Sequence, residues 1–308
     1  MAVFTGYNFY IMKNFSLIVV GILFIYCVSS CRKQVDKGFE MTVDLSISNP
    51  YLPMSVLVDT IESVRLQLPS PYFWGMVDNV ISKDSCYYIS DRKQEMAFRF
   101  SKNGTFLNAI GQRGEGPGEY REMDSFFVGK DCVYVCDMGK RTIYSYSFDG
   151  KFLHSLSFPY SLVFNDVVEL PDGRFLCHRP SQSENCKGLW ILDQKGRRVK
   201  NLLEYEKGTP CKNSYWNTLC AQEDGTIKIY NPVDGSYYQY DAVNDTVVRT
   251  MRQKSNLPML ADFHCSDREL YETKEECTYS LFTVDGKNLV FSLWSFNSAN
   301  KGCLLYTS

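Results

Sequence analysis

The sequence has few of the residues and motifs on which most enzyme sites depend. Only three histidines occur in 308 residues, and none has the ligand spacing of a zinc site: His154, His178 and His264. The phosphate-binding GxxxxGK[ST] motif, the GxSxG elbow, the HExxH helix and a Ser-His-Asp order are absent. We therefore nominate no catalytic residue and no cofactor, and we favour a non-enzymatic role.

A surplus of charge of one sign is also missing. The protein has 33 basic and 35 acidic side chains, which are interspersed and give a formal net charge of -2. Nucleic-acid binding depends on a basic surface that neutralises phosphates, so nucleic acid is excluded as the expected partner. Long amphipathic helical patterns are lacking after residue 45, which favours an all-β class with a large core.

The one long apolar run lies near the N-terminus. Residues 15–30 are almost uninterruptedly apolar, and this length fits the apolar core of a signal peptide better than the roughly 20 residues of a membrane span. Residues 1–30 are therefore predicted to be a signal peptide, and the conventional start at Met12 favours translation from there. An uncleaved anchor helix stays open as the alternative.

The end of this run indicates lipid attachment. The residues VSSC (28–31) resemble a bacterial lipobox, in which the cysteine is acylated and becomes the new N-terminus. Cys31 is thus the predicted lipid site, and residues 31–44 are predicted to form a lipidated tether to the membrane. The expected location is the cell envelope of a Gram-negative bacterium, as an outer-membrane lipoprotein, and the side of the outer membrane that it faces stays open.

Twelve cysteines in an exported protein raise the question of disulfides. Cys132 and Cys136 lie on the same face of a predicted strand but about 13 Å apart, at roughly 3.3 Å per residue, so they are too distant to bond each other. No CxxC motif occurs. Free cysteines that pack as small apolar side chains are favoured, and a few long-range disulfides stay open.

An internal repeat of 46 residues determines the predicted fold. CYYISD (86–91) matches CVYVCD (132–137), and FSKNGTFL (100–107) matches FSFDGKFL (146–153). A third glycine, Gly196, falls on the same spacing after Gly104 and Gly150. Asp91 and Asp137 occupy equivalent places in successive units, which is typical of a structural turn residue.

Each unit reads as about four short strands separated by glycine turns, and such units of 40 to 50 residues are typical of a β-propeller. Five unit starts are visible, and residues 58–68 are predicted to form a strand that closes the ring. We expect residues 45–302 to form the propeller, six-bladed in the complete protein and truncated here after about five blades. The last residues, CLLYTS (303–308), are suspected to be a non-native tail.

The stretch IGQRGEGPGEY (110–120) carries a more specific resemblance. GxxGxGPGE[YF], followed by a strand that ends in Asp and by an aromatic-x-x-Gly-x-Phe turn, resembles NHL-type repeats in six-bladed β-propeller lipoproteins of Bacteroidetes. The resemblance spans residues 51 to about 250. Its glycines are expected to be turns between blades, because no helix follows to bind a phosphate. Ligand contact is the alternative, and its candidates are Arg113, Glu115, Glu119, Tyr120 and Arg121.

Two functions from different classes stay open at this point. The favoured one is a monomeric, lipid-anchored module that binds a glycan, peptide or protein, in which the aromatic residues of 214–217 and 235–240 either stack on sugars or pack the blades. The alternative is a calcium-dependent lactonase or esterase with carboxylates and amides in its central channel.

Overall fold

Every regular element in the described part of the protein is a β-strand. The computed structural model describes residues 38–43, 60–180, 188–205, 218–222, 224–231, 235–255, 277–285, 288–296 and 306–307. All of them belong to one compact unit, Gly38–Ser308, and none is helical. The predicted all-β class is therefore confirmed.

Four antiparallel sheets follow one another in the sequence, and we call them blades 1 to 4. A short strand, β1 (Phe39–Val43), precedes them. Blade 1 contains β2 (Val77–Lys83), β3 (Cys86–Asp91), β4 (Met96–Ser101) and β5 (Phe106–Ile110). Blade 2 contains β6 (Ser125–Val128), β7 (Val133–Asp137), β8 (Thr142–Tyr146) and β9 (Phe152–Ser157).

The next two blades repeat this arrangement. Blade 3 contains β10 (Asp166–Glu169), β11 (Phe175–Arg179), β12 (Gly188–Leu192) and β13 (Arg198–Leu203). Blade 4 contains β14 (Leu219–Ala221), β15 (Ile227–Asn231), β16 (Ser236–Asp241) and β17 (Thr246–Ser255). Within every blade the strands pair in sequence order.

Two further pieces of sheet accompany the blades. Strand β1 pairs in parallel with β17, so part of the segment predicted as a tether (31–44) adds a fifth strand to the blade 4 sheet. After β17 a three-stranded sheet contains β18 (Cys277–Asp285), β19 (Asn288–Phe296) and β20 (Tyr306–Thr307).

Burial differs systematically between the strands of a blade. In blade 2, β7 and β8 are buried at every position, whereas five of the six residues of β9 are exposed. The first strands of consecutive blades contact one another, β2 with β6, β6 with β10 and β10 with β14. The first strand of each blade is therefore the inner strand, and the fourth is the outer strand, which faces solvent in blade 2.

The core consists of apolar layers between neighbouring blades. One layer joins blades 1 and 2 and includes Tyr88, Val135 and Tyr146. A second joins blades 2 and 3 around Trp190, and a third joins blades 3 and 4 around Ile229. Because these three layers are each shared by two neighbouring blades, the units depend on one another for stability.

The glycines of the repeat serve both local and long-range geometry. Gly104, Gly150 and Gly196 lie in the turns before the outer strands and have positive φ angles of 87°, 82° and 72°. A Cβ atom at Gly150 would also lie 2.1 Å from the carbonyl oxygen of Ala109, at the outer strand of the preceding blade. Glycine is therefore required for the turn and for the packing of one blade on the next.

The repeat aspartates are structural, as predicted. The Asp91 carboxylate accepts hydrogen bonds from the backbone N–H groups of Gly75, Met76, Lys93 and Gln94. Burial raises the pKa of Asp91, but these four donors outweigh it, and the net pKa is lowered. The carboxylate thus ties the turn after β3 to the segment that precedes blade 1.

One strand prediction is wrong. In the predicted strand of residues 58–68, the described positions from Thr60 onwards carry no strand. Leu66 and Leu68 nevertheless alternate inward and pack on Phe98 and Phe100 of blade 1. The alternation is that of a strand, but a β-ladder also needs a hydrogen-bonded partner, and none of the described residues pairs with this segment.

Candidate functional site

The loop between β5 and β6 is held in one conformation by its own backbone. The Gly114 N–H donates to the carbonyl oxygen of Tyr120 at 2.8 Å, and the Tyr120 N–H donates to that of Gln112 at 3.2 Å. Gly111 and Gly118 have positive φ angles of 67° and 76°. The glycines therefore form tight turns between blades, in agreement with the favoured interpretation of this stretch.

Glu119 stabilises the loop from inside. Its Oε2 accepts a hydrogen bond of 2.7 Å from the Gly116 N–H. A Cβ atom would lie 2.0 Å from this oxygen at Gly114 and 3.0 Å from it at Gly116. The two glycines thus leave room for the carboxylate, which caps the backbone rather than projecting into solvent.

Tyr120 is part of the core. Its side chain is fully buried between Tyr144 and Tyr146, and its hydroxyl donates a 2.9 Å hydrogen bond to the carbonyl oxygen of Glu95. Burial raises the pKa of Tyr120 far above its ordinary value. Of the five candidate residues, this one has no surface to offer a ligand.

The exposed charges of the loop form a network with blade 2. Glu115 contacts the Arg121 Nε at 3.0 Å and the Lys140 Nζ at 3.2 Å. The hydrogen bond from Arg121, and then that from Lys140, lowers the pKa of the Glu115 carboxyl. Lys140 also donates to the carbonyl oxygens of Gly114 and Glu119, at 2.9 and 3.1 Å.

Arg113 has an exposed side chain, and its backbone forms a β-bridge with Tyr120, the residue before Arg121. Its charge acts on Glu95, where burial raises the pKa of the carboxyl and the arginine opposes that rise. Glu95 in turn accepts a hydrogen bond from the Met123 N–H. The structure therefore brings Arg113, Glu115 and Arg121 together at the surface and places Glu119 and Tyr120 beneath them.

These residues share one side of the molecule with two strand turns. We call this surface, formed by residues 111–124 with the turns 92–95 and 138–141, the loop face. Tyr160, in the next loop between blades, has 75% of its surface exposed, and the Arg141 guanidinium lies 5.4 Å from its ring centroid. The loop face and Tyr160 thus combine exposed charges with an aromatic ring.

Sequence reasoning missed a buried polar network between blades 3 and 4. The two imidazole nitrogens of His178 contact hydroxyls, Nδ1 that of Thr218 at 2.7 Å and Nε2 that of Tyr205 at 2.8 Å. Thr218 lies 3.4 Å from Asp166, whose Oδ2 also accepts from the Leu219 N–H at 2.9 Å. The network therefore joins the inner strands β10 and β14.

Burial dominates the titration of this network. It lowers the pKa of His178 to about 3 and raises the pKa of Asp166 to about 6, against the backbone N–H donors around the carboxylate. A sequence signal for it exists, because His178 stands one residue before the end of β11, where blades 1 and 2 have Ser90 and Cys136. The signal is therefore an imidazole at a position where these two blades have small side chains.

Other predictions concern metals, thiols and aromatic residues. In the described ranges, no three His, Cys, Asp or Glu side chains converge in an arrangement that could hold a metal ion. Five cysteines in these ranges are free thiols, of which four are buried: Cys86, Cys132, Cys136, Cys177 and Cys220. Tyr237, Tyr238 and Tyr240 are buried in blade 4, which favours blade packing over sugar stacking.

Some predictions lie outside the described residues. They are the signal peptide, the lipid site Cys31 and the aromatic group at 214–217. Within the part of the protein that the structure describes, no helix is long and apolar enough to cross a membrane.

The four blades are four-stranded antiparallel units, and their inner strands adjoin one another in sequence order. This arrangement is that of a β-propeller, as predicted. The chain belongs to the family of the domain of unknown function DUF4934, whose model matches residues 40–306. No curated protein matches it.

Solved structures resemble this protein in fold. A presumed exported protein of Bacteroides fragilis NCTC 9343 superposes with a TM-score of 0.60 at 16% identity, over 87% of this protein and 80% of its own length. A member of the DUF4221 family from Bacteroides vulgatus ATCC 8482 has a TM-score of 0.44 at 10% identity, over 78% and 83%. Virginiamycin B lyase from Staphylococcus aureus has a TM-score of 0.43 at 10% identity, over 76% and 69%.

Proposed function

We propose that the protein is a lipid-anchored, exported binding module that recognises a glycan, peptide or protein through its loop face. One observation carries this proposal: the backbone of residues 111–120 is fixed by internal hydrogen bonds, while Arg113, Glu115 and Arg121 stay exposed on it. A rigid backbone with exposed polar tips loses little conformational entropy on binding, which is the physical advantage of a preorganised site.

The proposal is tested by screening the purified protein against glycan and peptide arrays. Any ligand found is then titrated against Arg121→Glu and against Lys195→Glu, an exposed lysine in the turn before an outer strand of blade 3. The loop-face variant should weaken binding by about tenfold or more, since hydrogen bonds to charged groups contribute roughly 1.5–3 kcal/mol. Equal binding by both variants would refute the location of the site.

Export and anchoring form the second part of the proposal. The VSSC sequence at 28–31 and the fold shared with a presumed exported Bacteroides protein support it. Metabolic labelling with an alkyne fatty acid should mark the wild-type protein but not Cys31→Ser. Wild-type protein that stays unlabelled and is found in the soluble fraction would contradict lipid anchoring. Protease treatment of intact cells would decide which side of the outer membrane the protein faces.

We also propose that the complete disc has six blades of NHL-like type. Four blades and the three strands β18–β20 support at least five units. The calcium-dependent hydrolase remains the alternative function, and a thermal-unfolding scan with millimolar calcium, together with generic ester and lactone substrates, separates the two. A calcium-dependent rise in Tm accompanied by hydrolysis would replace the binding proposal.

A further inference from the structure

The loop between β9 and β10 displays an exposed tyrosine on a turn that its neighbours hold in place. Tyr160 is 75% exposed, whereas Phe158 and Leu162, two residues away on either side, are 5% and 6% exposed. The Leu162 N–H donates to the carbonyl oxygen of Pro159 at 3.0 Å, which closes a turn around Tyr160. The tyrosine therefore lies at the tip of a turn whose two ends are anchored in the core.

Arg141, in the turn between β7 and β8, fixes this loop to blade 2. Its carbonyl oxygen accepts a hydrogen bond of 2.9 Å from the Phe158 N–H, and its Nη1 donates one of 3.2 Å to the carbonyl oxygen of Leu162. The same guanidinium lies over the Tyr160 ring, 5.4 Å from its centroid. One residue thus holds both the backbone of the turn and the ring that the turn displays, so the ring needs little ordering when a ligand binds.

The charged network of the loop face begins at the residue before Arg141. Lys140 contacts the Glu115 carboxylate at 3.2 Å, and Glu115 contacts the Arg121 Nε at 3.0 Å. Consecutive Cα atoms are about 3.8 Å apart, so Lys140 and Arg141 join the ion pairs to the exposed ring. A ligand that covers Tyr160 therefore lies beside fixed hydrogen-bond donors and a fixed acceptor.

Packing between blades does not account for Tyr160. The tyrosines that pack beside the preceding loop are buried, as Tyr120, Tyr144 and Tyr146 show. Gly114 stands 46 residues before Tyr160, so the ring is not part of the repeat. A single exposed ring is ordinary on a protein surface, but a ring that a cation holds and that the preceding unit lacks is a candidate for ligand contact.

The side chains around Tyr160 favour a glycan over a protein partner. Within the loop face and residues 158–165, all of which the structure describes, Tyr160 is the only large apolar side chain that is exposed. A protein interface has an apolar core of several side chains, whereas a sugar offers one apolar ring face and a rim of hydroxyl groups. Hydroxyl groups both donate and accept, and the exposed Arg121 and Glu115 supply the complementary donor and acceptor.

We propose, resting on the proposed function of the loop face, that Tyr160 is the stacking platform of a glycan-binding site. The apolar face of a pyranose ring lies on Tyr160, and the hydroxyl groups of the glycan bond to Arg121 and Glu115. Tyrosine suits this role because it supplies a large apolar surface with only two side-chain torsions to order. A peptide is the competing ligand, and it would bind through the charges without needing the ring.

The test starts from the purified wild-type protein on an array of microbial, plant and animal glycans and on an array of peptides. The glycan with the strongest signal is then titrated by calorimetry. Tyr160→Ala should weaken its binding by about tenfold, whereas Tyr160→Trp, which keeps an aromatic face, should stay within about threefold of the wild type. Leu153→Ala, at an apolar position that is 50% exposed on β9, is the matched control and should leave the affinity unchanged. Thermal unfolding of each variant confirms that the fold is kept.

Three outcomes would overturn the platform and still leave the loop face as a binding site. They are equal glycan affinity of Tyr160→Ala and wild type while Arg121→Glu binds more weakly, equal losses in Tyr160→Ala and Tyr160→Trp, and binding of peptides without any glycan. An absence of binding on both arrays would remove the platform and the proposed function together.

Discussion

Replacing Asp137 by alanine tests the central structural claim, that a repeated buried carboxylate fixes the loop face to blade 2. The Asp137 side chain is fully buried, and both of its oxygens are used. Oδ2 accepts from the N–H groups of Arg121 and Glu122, and Oδ1 accepts from that of Lys140 at 2.7 Å. The carboxylate therefore joins the loop before β6 to the turn after β7.

The magnitude follows from the two short hydrogen bonds, each 2.7 Å long. Hydrogen bonds to an ionised group contribute roughly 1.5–3 kcal/mol, and the cost of burying the charge offsets part of their sum. We expect Asp137→Ala to lower the free energy of unfolding by about 3 kcal/mol. Asp137→Asn should also be destabilising. Asparagine has one oxygen and one NH2 group in place of the two carboxylate oxygens, so its NH2 group must face a backbone N–H group that donates to Oδ1 or Oδ2 in the wild type.

Urea unfolding, followed by tryptophan fluorescence, measures the change in the purified protein. The matched control is Asp149→Ala in the same blade, whose side chain is 80% exposed and whose ion pair with Arg99 is long, at 3.4 Å. The control should leave the unfolding midpoint unchanged, since exposed pairs contribute little. A loss below about 1 kcal/mol for Asp137→Ala would refute the reasoning, because the carboxylate would then be replaceable by water.

Three further predictions concern other parts of the molecule. In urea unfolding, Gly150→Ala should be more destabilising than Gly225→Ala. Both glycines have positive φ (82° and 83°), but of the two only Gly150 has a carbonyl oxygen where the new Cβ would lie. Equal losses of unfolding free energy would contradict this. The pKa of His178 is lowered to about 3, below its unfolded value of about 6.5, so its contribution to stability is present above pH 6.5 and is lost as the pH falls towards 3. Between pH 7 and pH 5, the free energy of unfolding should fall by about 2 kcal/mol more in the wild type than in His178→Gln. Asp166, whose raised pKa has the opposite effect, titrates in both proteins and does not produce this difference. Parallel curves of unfolding free energy against pH would contradict the prediction. Tyr120→Phe should lower stability by about 1 kcal/mol, through the lost hydrogen bond to a carbonyl in the turn after β3, and an unchanged midpoint would contradict the buried contact.

Much of the fold was predictable because it repeats. A spacing of 46 residues between Gly104 and Gly150, and between Asp91 and Asp137, reports contacts that each blade makes again. The glycines need positive φ and close backbone approach, and the aspartates must accept several N–H groups. Such requirements leave a mark at each repeat, so the sequence predicted the all-β propeller and the structural role of both aspartates.

The candidate site was less predictable, because it depends on which side chains reach the surface. Arg113, Glu115, Glu119, Tyr120 and Arg121 were equivalent members of one motif in the sequence. In the structure Glu119 caps Gly116, and Tyr120 is buried against the adjacent blade. Only packing between blades distinguishes the two residues that build the loop from the three that are exposed.

Sequence by itself determined the number of residues in a unit, the strands that make it and the turns that need glycine, since these depend on local conformation and on a repeated pattern. Tertiary structure alone decided two things. It paired His178 with Tyr205 and Thr218 across two blades, and it packed Leu66 and Leu68 on blade 1 without giving their segment a ladder partner among the described residues. Both depend on contacts between segments that are distant in sequence, and an alternating pattern cannot specify which partner completes it.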